Sequence, residues 1–277
     1  MPTQTEQAQI KNAQRFLALH QGTSPLLMPN AWDLGSARLL ASLGFAALAT
    51  TSSGFAATLG QLDGSVTLDQ AIEHSAAIAG ATELPVSADL ENCYAEDLDG
   101  VAETVRRAIG AGLAGCSIED YSGGADPVIY DRGLAAERVA AAVEAAHSGP
   151  VHLVLTARAE NHIRANPDLA DTIARLQSYA EAGADVLYAP GVIKPADLRE
   201  LVASVDRPVN VLALPGVPPV SELAEIGVKR VSVGGAFAFA ALGALAEAGR
   251  ELLERGSYSY WELARPGTAA ARAAFSA

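Results

Sequence analysis

Cysteine is nearly absent from this chain. Only Cys93 and Cys116 occur among 277 residues, so no disulfide framework is implied. Positive charge is scarce as well: 19 Lys and Arg face 32 Asp and Glu, a net charge of −13. Nucleic-acid binding needs Lys and Arg clustered against phosphates, and this composition argues against such a partner. Ordinary solubility accounts for most of the negative charge. The amino terminus, Met1-Pro-Thr-Gln-Thr-Glu-Gln, lacks the basic segment and the apolar core of a signal peptide. No long unbroken hydrophobic run occurs. The longest, Val231 to Ala248, is interrupted by Gly234, Gly235 and Gly243 and reads as a strand running into a helix, not as a membrane span. A soluble cytoplasmic protein is expected, with no membrane partner. No linker or low-complexity segment divides the chain, which reads as a single domain over residues 1–277.

Half of the residues are hydrophobic, enough for a large core. One unit recurs: a helical pattern ends in Gly and a short apolar strand follows. Instances are Leu43-Gly-Phe-Ala-Ala-Leu-Ala-Thr50, Gly112-Leu-Ala-Gly-Cys-Ser-Ile118, Ala182-Gly-Ala-Asp-Val-Leu-Tyr188 and Ile226-Gly-Val-Lys-Arg-Val-Ser-Val233. Gly suits the left-handed position that closes a helix. Nearly continuous apolar strands are the mark of parallel strands covered by helices. Eight strands are predicted: Leu26–Pro29, Ala46–Thr50, Val86–Leu90, Gly115–Ile118, His152–Ala157, Val186–Tyr188, Val209–Leu214 and Arg230–Val233. Helical patterns such as Leu98–Ala111, Leu134–Ala146 and Leu169–Ala182 fill the gaps. Eight alternating units in about 250 residues give a (β/α)8 TIM barrel. The competing doubly wound sheet is weakened because the first strand–helix turn, Met28-Pro-Asn-Ala-Trp-Asp33, has no Gly-rich fingerprint. An extra N-terminal helix, about Thr5–Leu19, would cap the barrel bottom or pack alongside it. The C-terminal helical tail holds Tyr258, Tyr260 and Trp261, suited either to docking or to packing.

The run Val86-Ser-Ala-Asp-Leu-Glu-Asn-Cys-Tyr94 carries the chemistry. Residues i and i+2 of a strand share a side, so Asp89 and Glu91 project together at a strand's carboxyl end. Two adjacent like charges are costly unless a cation or proton lies between them. A hard, oxygen-preferring ion such as Mg²⁺, with Mn²⁺ as substitute, fits. A second acidic pair, Glu119-Asp120, ends the next strand, and its structural alternative is pairing with Arg132 or Arg138. The remaining strand ends supply Asn30, Trp32, Asp33, Thr51-Ser-Ser-Gly54, Arg158, Glu160, Tyr188, Asn210, Ser232, Gly234 and Gly235. Thr51 to Gly54 can offer N–H groups and hydroxyls to a carboxylate. Arg158 can pair with one bidentately, or pair with Glu160 instead. Asn210 suits either substrate contact or a loop carbonyl. His74, His147, His152 and His162 read as surface or structural groups, and both cysteines as small core residues.

Taken together, these motifs resemble the isocitrate lyase and phosphoenolpyruvate mutase superfamily. The matching segments are Pro29-Asn-Ala-Trp-Asp33 with Ser36-Ala-Arg38, Thr51-Ser-Ser-Gly54, Leu59-Gly-Gln-Leu-Asp63, Ala88-Asp-Leu-Glu91, Ser117-Ile-Glu-Asp120 and Ala157-Arg-Ala-Glu160. They run in family order over about residues 20–240. The resemblance implies a (β/α)8 barrel, a Mg²⁺ shell of Asp63, Asp89, Glu91 and Glu119, and a 2-oxo acid or its enolate on the metal. It implies that Trp32, Thr51, Ser52, Ser53, Gly54, Asp89, Arg158 and Asn210 contact substrate. It also implies homo-oligomers, dimers or tetramers, with C-terminal helices (about 236–277) exchanged between subunits.

The departures are equally specific. Lyases of this family carry a Lys-Lys/Arg-Cys-Gly-His loop after the Ile-Glu-Asp motif, whose Cys is the acid–base. Here that segment is Tyr121-Ser-Gly-Gly-Ala-Asp-Pro-Val-Ile-Tyr-Asp131, without Cys, Lys or His. The Glu that lyases place after the sixth strand is replaced by Tyr188-Ala-Pro-Gly191, and the Lys/Asn-bearing loop of the mutase and hydrolase branch is missing. Tyr121, Tyr130 or Tyr188 is then the candidate proton carrier, alongside Arg158. The expected activity is Mg²⁺-dependent lysis of small 2-oxo or 2-hydroxy carboxylates through an enolate, isocitrate- or methylisocitrate-lyase-like or by oxaloacetate decarboxylation. Pyruvate, oxaloacetate and 2-oxoglutarate are the expected ligands. The alternatives are C–P bond chemistry on phosphonopyruvate and non-catalytic binding of 2-oxo acids.

Overall fold

A computed structural model describes residues 3–123 and 126–276; Met1, Pro2, Gly124, Ala125 and Ala277 lie outside it. Among the described residues there are nine strands and eleven helices. The strands are β1 (Leu26–Met28), β2 (Asn30–Ala31), β3 (Leu48–Thr50), β4 (Val86–Asp89), β5 (Gly115–Glu119), β6 (Val154–Arg158), β7 (Val186–Tyr188), β8 (Val209–Leu212) and β9 (Arg230–Ser232). All pairings are parallel, in the order β1-β9-β8-β7-β6-β5-β4-β3-β2. β1 and β2 are one strand interrupted at Pro29, which has no N–H to give to a ladder. The first half pairs with β9 and the second with β3, so the sheet closes on itself. This is the eight-unit barrel that the strand count predicts, with the first strand split.

Asn30 seals that seam. Its carboxamide Nδ2 donates to the Thr50 carbonyl at 2.7 Å, and its Oδ1 accepts from Val233 N and Gly234 N at 3.0 and 2.9 Å. First and last strands are thereby tied through one side chain.

The helices follow ordinary rules. α5 (Leu98–Gly110) is capped by Asp97, whose side chain accepts from Gly100 N, and buries Val101, Thr104, Val105 and Ala108 on one stripe. α6 (Arg132–His147) and α7 (Leu169–Glu181) start one to two residues from their predicted bounds or at them. The N-terminal α1 (Gln4–Leu19) opens with a capping box between Thr3 and Glu6 and plugs the barrel bottom. Its Phe16, fully buried, joins Ala13, Leu26, Met28, Val154 and Val186 in an inner core. Gly115 is where Phe16 rests: a Cβ there would lie 2.7 Å from Phe16 Cε1 and 2.8 Å from the Val154 carbonyl oxygen. The larger core lies between the strands and the outer helices, with Leu48, Leu113, Leu155, Leu176 and Leu187 fully buried.

The C-terminal pair differs. α10 (Ala236–Arg255) exposes Phe237, Phe239, Leu242 and Leu245, while α11 (Trp261–Phe275) lies on α2 (Leu34–Ser42) of the same chain. Among the described residues no helix is long and apolar enough to cross a membrane.

Candidate active site

Strands β3 to β6 deliver their carboxyl ends to one bowl. Asp89 ends β4, and its backbone N donates to Thr50 Oγ1 at 2.9 Å. Its Oδ2 accepts from Ser52 N at 3.0 Å, near the start of α3 (Ser52–Thr58). Its Oδ1 receives Arg158 Nη1 at 3.1 Å and Ser117 Oγ at 3.4 Å. Glu119 ends β5, opposite Arg158 in the β5–β6 register. Two residues past Asp89 the chain turns sharply. Glu91, Cys93 and Tyr94 all have left-handed φ, at 48°, 64° and 52°. Such conformations cost about 1–3 kcal/mol each for non-glycine residues and persist only where neighbours over-determine them. Here Cys93 N donates to the Leu90 carbonyl at 2.7 Å, Asn92 Oδ1 accepts from Tyr94 N at 3.0 Å, and Thr104 Oγ1 donates to the Cys93 carbonyl at 2.8 Å. The turn aims Glu91 into the bowl, where Tyr94 OH donates to its Oε1 at 3.1 Å.

Arg158 is the central cation. Besides Asp89 it meets Glu119 Oε2 at 3.2 Å and donates Nε and Nη2 to Glu160 Oε1 at 3.0 and 2.7 Å. Tyr188 faces its guanidinium 5.1 Å from the ring centre. A second cation, Arg164, lies 3.4 Å from Glu160 Oε2 and 3.8 Å above the Tyr121 ring. The floor is Arg230. It donates Nε to Asn210 Oδ1 at 2.9 Å, Nη2 to Thr156 Oγ1 at 3.0 Å, and places Nη1 3.3 Å from His20 Nε2. Burial lowers its pKa to about 9, still protonated at neutral pH.

The resulting cavity is about 430 Å³, large enough for a small carboxylate with water. Four carboxylates (Asp63, Asp89, Glu91, Glu119) and three guanidiniums (Arg158, Arg164, Arg230) line it. Burial, Asp89 and Asp63 push the Glu91 carboxyl up to about 7, and burial drives Glu119 well above the usual carboxylate range. Acids so destabilised as anions are short of positive charge. Adding the buried Glu160 makes five acids against three bases, a deficit of two charges. An all-oxygen donor set with that deficit fits one hard divalent ion. Such an ion would be held by Asp89, Glu91 and Glu119, with Asp63 at the rim. Cys93 and Cys116 are fully buried, with the Cys93 thiol pushed up to about 12 by burial, which removes both as nucleophiles.

The structure brings together Thr51, Ser52, Ser53, Asp63, Asp89, Glu91, Glu119, Tyr121, Arg158, Tyr188 and Asn210 around this cavity. Trp32 and Gly54 do not line it. Trp32 packs behind the Thr51–Gly54 turn, where a Cβ on Gly54 would meet Trp32 Cβ at 3.1 Å. Asn210 spends its amide on Ser232 Oγ and Arg230 below the cavity mouth. Tyr130 is buried away from the cavity, its hydroxyl accepting from Asn92 Nδ2 at 3.2 Å. Asp120 pairs with neither Arg132 nor Arg138. It holds Arg175 Nη1 at 3.1 Å, Tyr179 OH at 2.6 Å and Glu160 N at 2.8 Å, a buried brace under the site. Arg138 instead donates to the carbonyls of Asn92, Ala95 and Glu96, pinning the strained turn. Sequence reading passed over Arg164, Arg230 and Tyr94. The Glu160–Arg164 spacing of four was a usable signal for the first; nothing local marked the others.

This barrel and its carboxylate bowl define a class. The chain belongs to the phosphoenolpyruvate phosphomutase family, whose profile matches residues 16–253, within the isocitrate lyase and phosphoenolpyruvate mutase superfamily. A crystal structure of a provisionally assigned lyase/mutase from Burkholderia cenocepacia superposes with a TM-score of 0.92 at 48% identity, covering 96% of both chains. An uncharacterized protein of Mycobacterium tuberculosis is 35% identical over 85% of this chain and 87% of its own. An oxaloacetate decarboxylase of Pseudomonas fluorescens is 29% identical over 85% of this chain and 82% of its own.

Proposed function

We propose that this protein is a Mg²⁺-dependent lyase that breaks the bond between the carbons α and β to the carbonyl of a small 2-oxo acid, with oxaloacetate decarboxylation as its simplest reaction. The observation that supports this most is the gathering of Asp89, Glu91 and Glu119 around Arg158 beside the Ser52–Ser53 turn. When bound, the ion supplies electrophilic polarisation of the carbonyl and carboxylate oxygens. The chain's own groups do the rest. Thr51, Ser52 and Ser53 offer their hydroxyls to the 1-carboxylate. Arg158 and Arg164 offset the negative charge that collects on the carbonyl oxygen as the electron pair of the broken C3–C4 bond becomes the C2–C3 double bond of the enolate. CO2 leaves without a general acid, which agrees with a 121–131 loop that carries no Cys, Lys or His. A proton must then reach the carbon. Tyr121 and Tyr188 both face the cavity; burial lifts Tyr188 to about 12, so it holds its proton at neutral pH and can donate it.

We also propose a homo-oligomer, Mg²⁺ or Mn²⁺ as the cation, and a cytoplasmic location. The support for assembly is α10, whose Phe237, Phe239, Leu242 and Leu245 are 40, 51, 43 and 67% exposed. A partner's barrel would cover them, although α11 itself packs on α2 of its own chain. The function is tested by release of the 2-oxo acid product, pyruvate from oxaloacetate and methylisocitrate and glyoxylate from isocitrate, with Mg²⁺ and with a chelator. Metal-dependent release from oxaloacetate above its spontaneous decay supports the proposal. No release from any of the three, with 2-oxo acids still bound, would leave a binding protein instead.

A further inference from the structure

At the opposite end of the barrel three metal-ligating side chains converge. His147 is the last residue of α6, His152 lies in the short segment before β6, and Asp185 immediately precedes β7. His147 Nε2 is 3.0 Å from Asp185 Oδ2 and His152 Nε2 is 3.0 Å from Asp185 Oδ1. The two imidazoles stack 3.9 Å apart and within 15° of parallel, so both Nε2 atoms aim the same way. One ligand atom from each residue lies within 4.8 Å of the others. We propose that His147, His152 and Asp185 form a second cation site, for a borderline divalent transition ion of the Zn²⁺ type.

The distances suit such an ion. Ligand atoms about 2.1 Å from one tetrahedral centre lie about 3.4 Å from each other, so small rotations of the side chains complete the shell. The donor set discriminates. Two imidazoles and one carboxylate favour Zn²⁺, Ni²⁺ or Cu²⁺, whereas the all-oxygen bowl favours Mg²⁺. The carboxylate is preorganised by backbone. Leu155 N donates to Asp185 Oδ2 at 2.8 Å, and Asp185 N donates to the Leu155 carbonyl at 3.0 Å. Hydrogen bonding of the ligand carboxylate is the usual second layer of a metal site. Among the described residues, no Lys or Arg pairs with Asp185, so its charge is left for the histidines or an ion. His152 is 40% exposed at its side chain, which leaves an entry path and a fourth position for water. Bound there, the ion would staple the α6–β6 connection to the start of β7.

The test is competition between the metal-stripped full-length protein and a chromophoric zinc indicator, in excess Mg²⁺, for wild type, Asp89→Ala, His152→Ala and His147→Gln. Wild type and Asp89→Ala should each take up one Zn²⁺ and shift thermal unfolding upward. His152→Ala and His147→Gln should each bind at least about tenfold more weakly and lose the thermal shift. Co²⁺ on the wild type should give the visible absorption of a low-coordinate nitrogen–oxygen site, absent in His152→Ala. Equal zinc uptake by wild type and both histidine variants, or none by the wild type, would overturn the proposal. Circular dichroism confirms that each variant is folded; since both histidines are partly exposed, failure of one leaves the other to decide.

Discussion

The two ends of this barrel handle the same backbone problem differently. At the bottom, the helix-to-strand turns need left-handed residues, and Gly44, Gly112, Gly183 and Gly227 occupy them, at φ 91°, 83°, 102° and 100°. Glycine takes that conformation at no steric cost. At the mouth, the strand-to-helix loops also place Glu91, Cys93, Tyr94 and Ala165 at φ between 48° and 64°. Non-glycine residues there are strained. Charge follows the same division. The mouth holds carboxylates forced upward in pKa, whereas the lower interior holds a neutral imidazole against a guanidinium. Burial lowers His20 to about 3, and it sits between the Phe16 carbonyl and Arg230. Backbone strain and crowded negative charge are thus retained at the mouth, whereas below it glycine relieves the backbone and burial keeps His20 neutral beside the Arg230 guanidinium.

The comparison breaks hardest beneath the mouth. Asp120→Ala should cost about 3–5 kcal/mol of unfolding free energy, because it strands a buried Arg175. Urea denaturation reads it, and a loss under 1 kcal/mol would show that the brace is dispensable. Next is Asp89→Ala. It removes a charged ligand and should weaken Mg²⁺ binding by more than about 100-fold in calorimetry. Unchanged affinity would move the cation elsewhere. Arg158→Lys keeps the charge but loses the fork, and should weaken 2-oxo acid binding by about 1.5–3 kcal/mol, more than tenfold. Equal affinity would put Arg158 outside the substrate's reach.

Smaller effects sharpen the contrast. His20 has a folded pKa near 3, below its unfolded value of 6.5. The unfolded chain therefore binds the extra proton, and stability is full above pH 6.5 and falls as pH drops toward 3. His20→Gln should remove about 2 kcal/mol of the loss between pH 7 and 5. An unaltered pH profile would mean that His20 is protonated in the fold. The least is Ala165→Gly, which relieves an exposed left-handed residue and should add about 0.5–1 kcal/mol, or about 1–4 °C in Tm. A lower Tm would show that the loop is not strained there.

Most of the architecture was legible because it rests on local patterns. Every predicted strand is present, since an apolar run marks each unit and a Gly-ended helix marks four of them. The split at Pro29 was not resolved, although proline's missing donor was in plain view. The acidic strand ends were legible for the same reason: their position at the carboxyl end follows from strand direction alone. Roles set by distant partners were not. Asp120 finds Arg175 and Tyr179 55 and 59 residues away, and Arg230 reaches His20 across 210. Trp32 sits in a motif at the mouth, yet it stays outside the cavity lining, its Cβ against Gly54, a tertiary placement that spacing does not encode.

The seam at Asn30 has a consequence for birth on the ribosome. Residues 26–28 cannot find their partners until residues 230–232 have left the exit tunnel. For most of synthesis the nascent sheet therefore carries two open edges, each a template for pairing with another chain. Asn30, bonded to strand neighbours on both sides, is the latch that retires both edges at once.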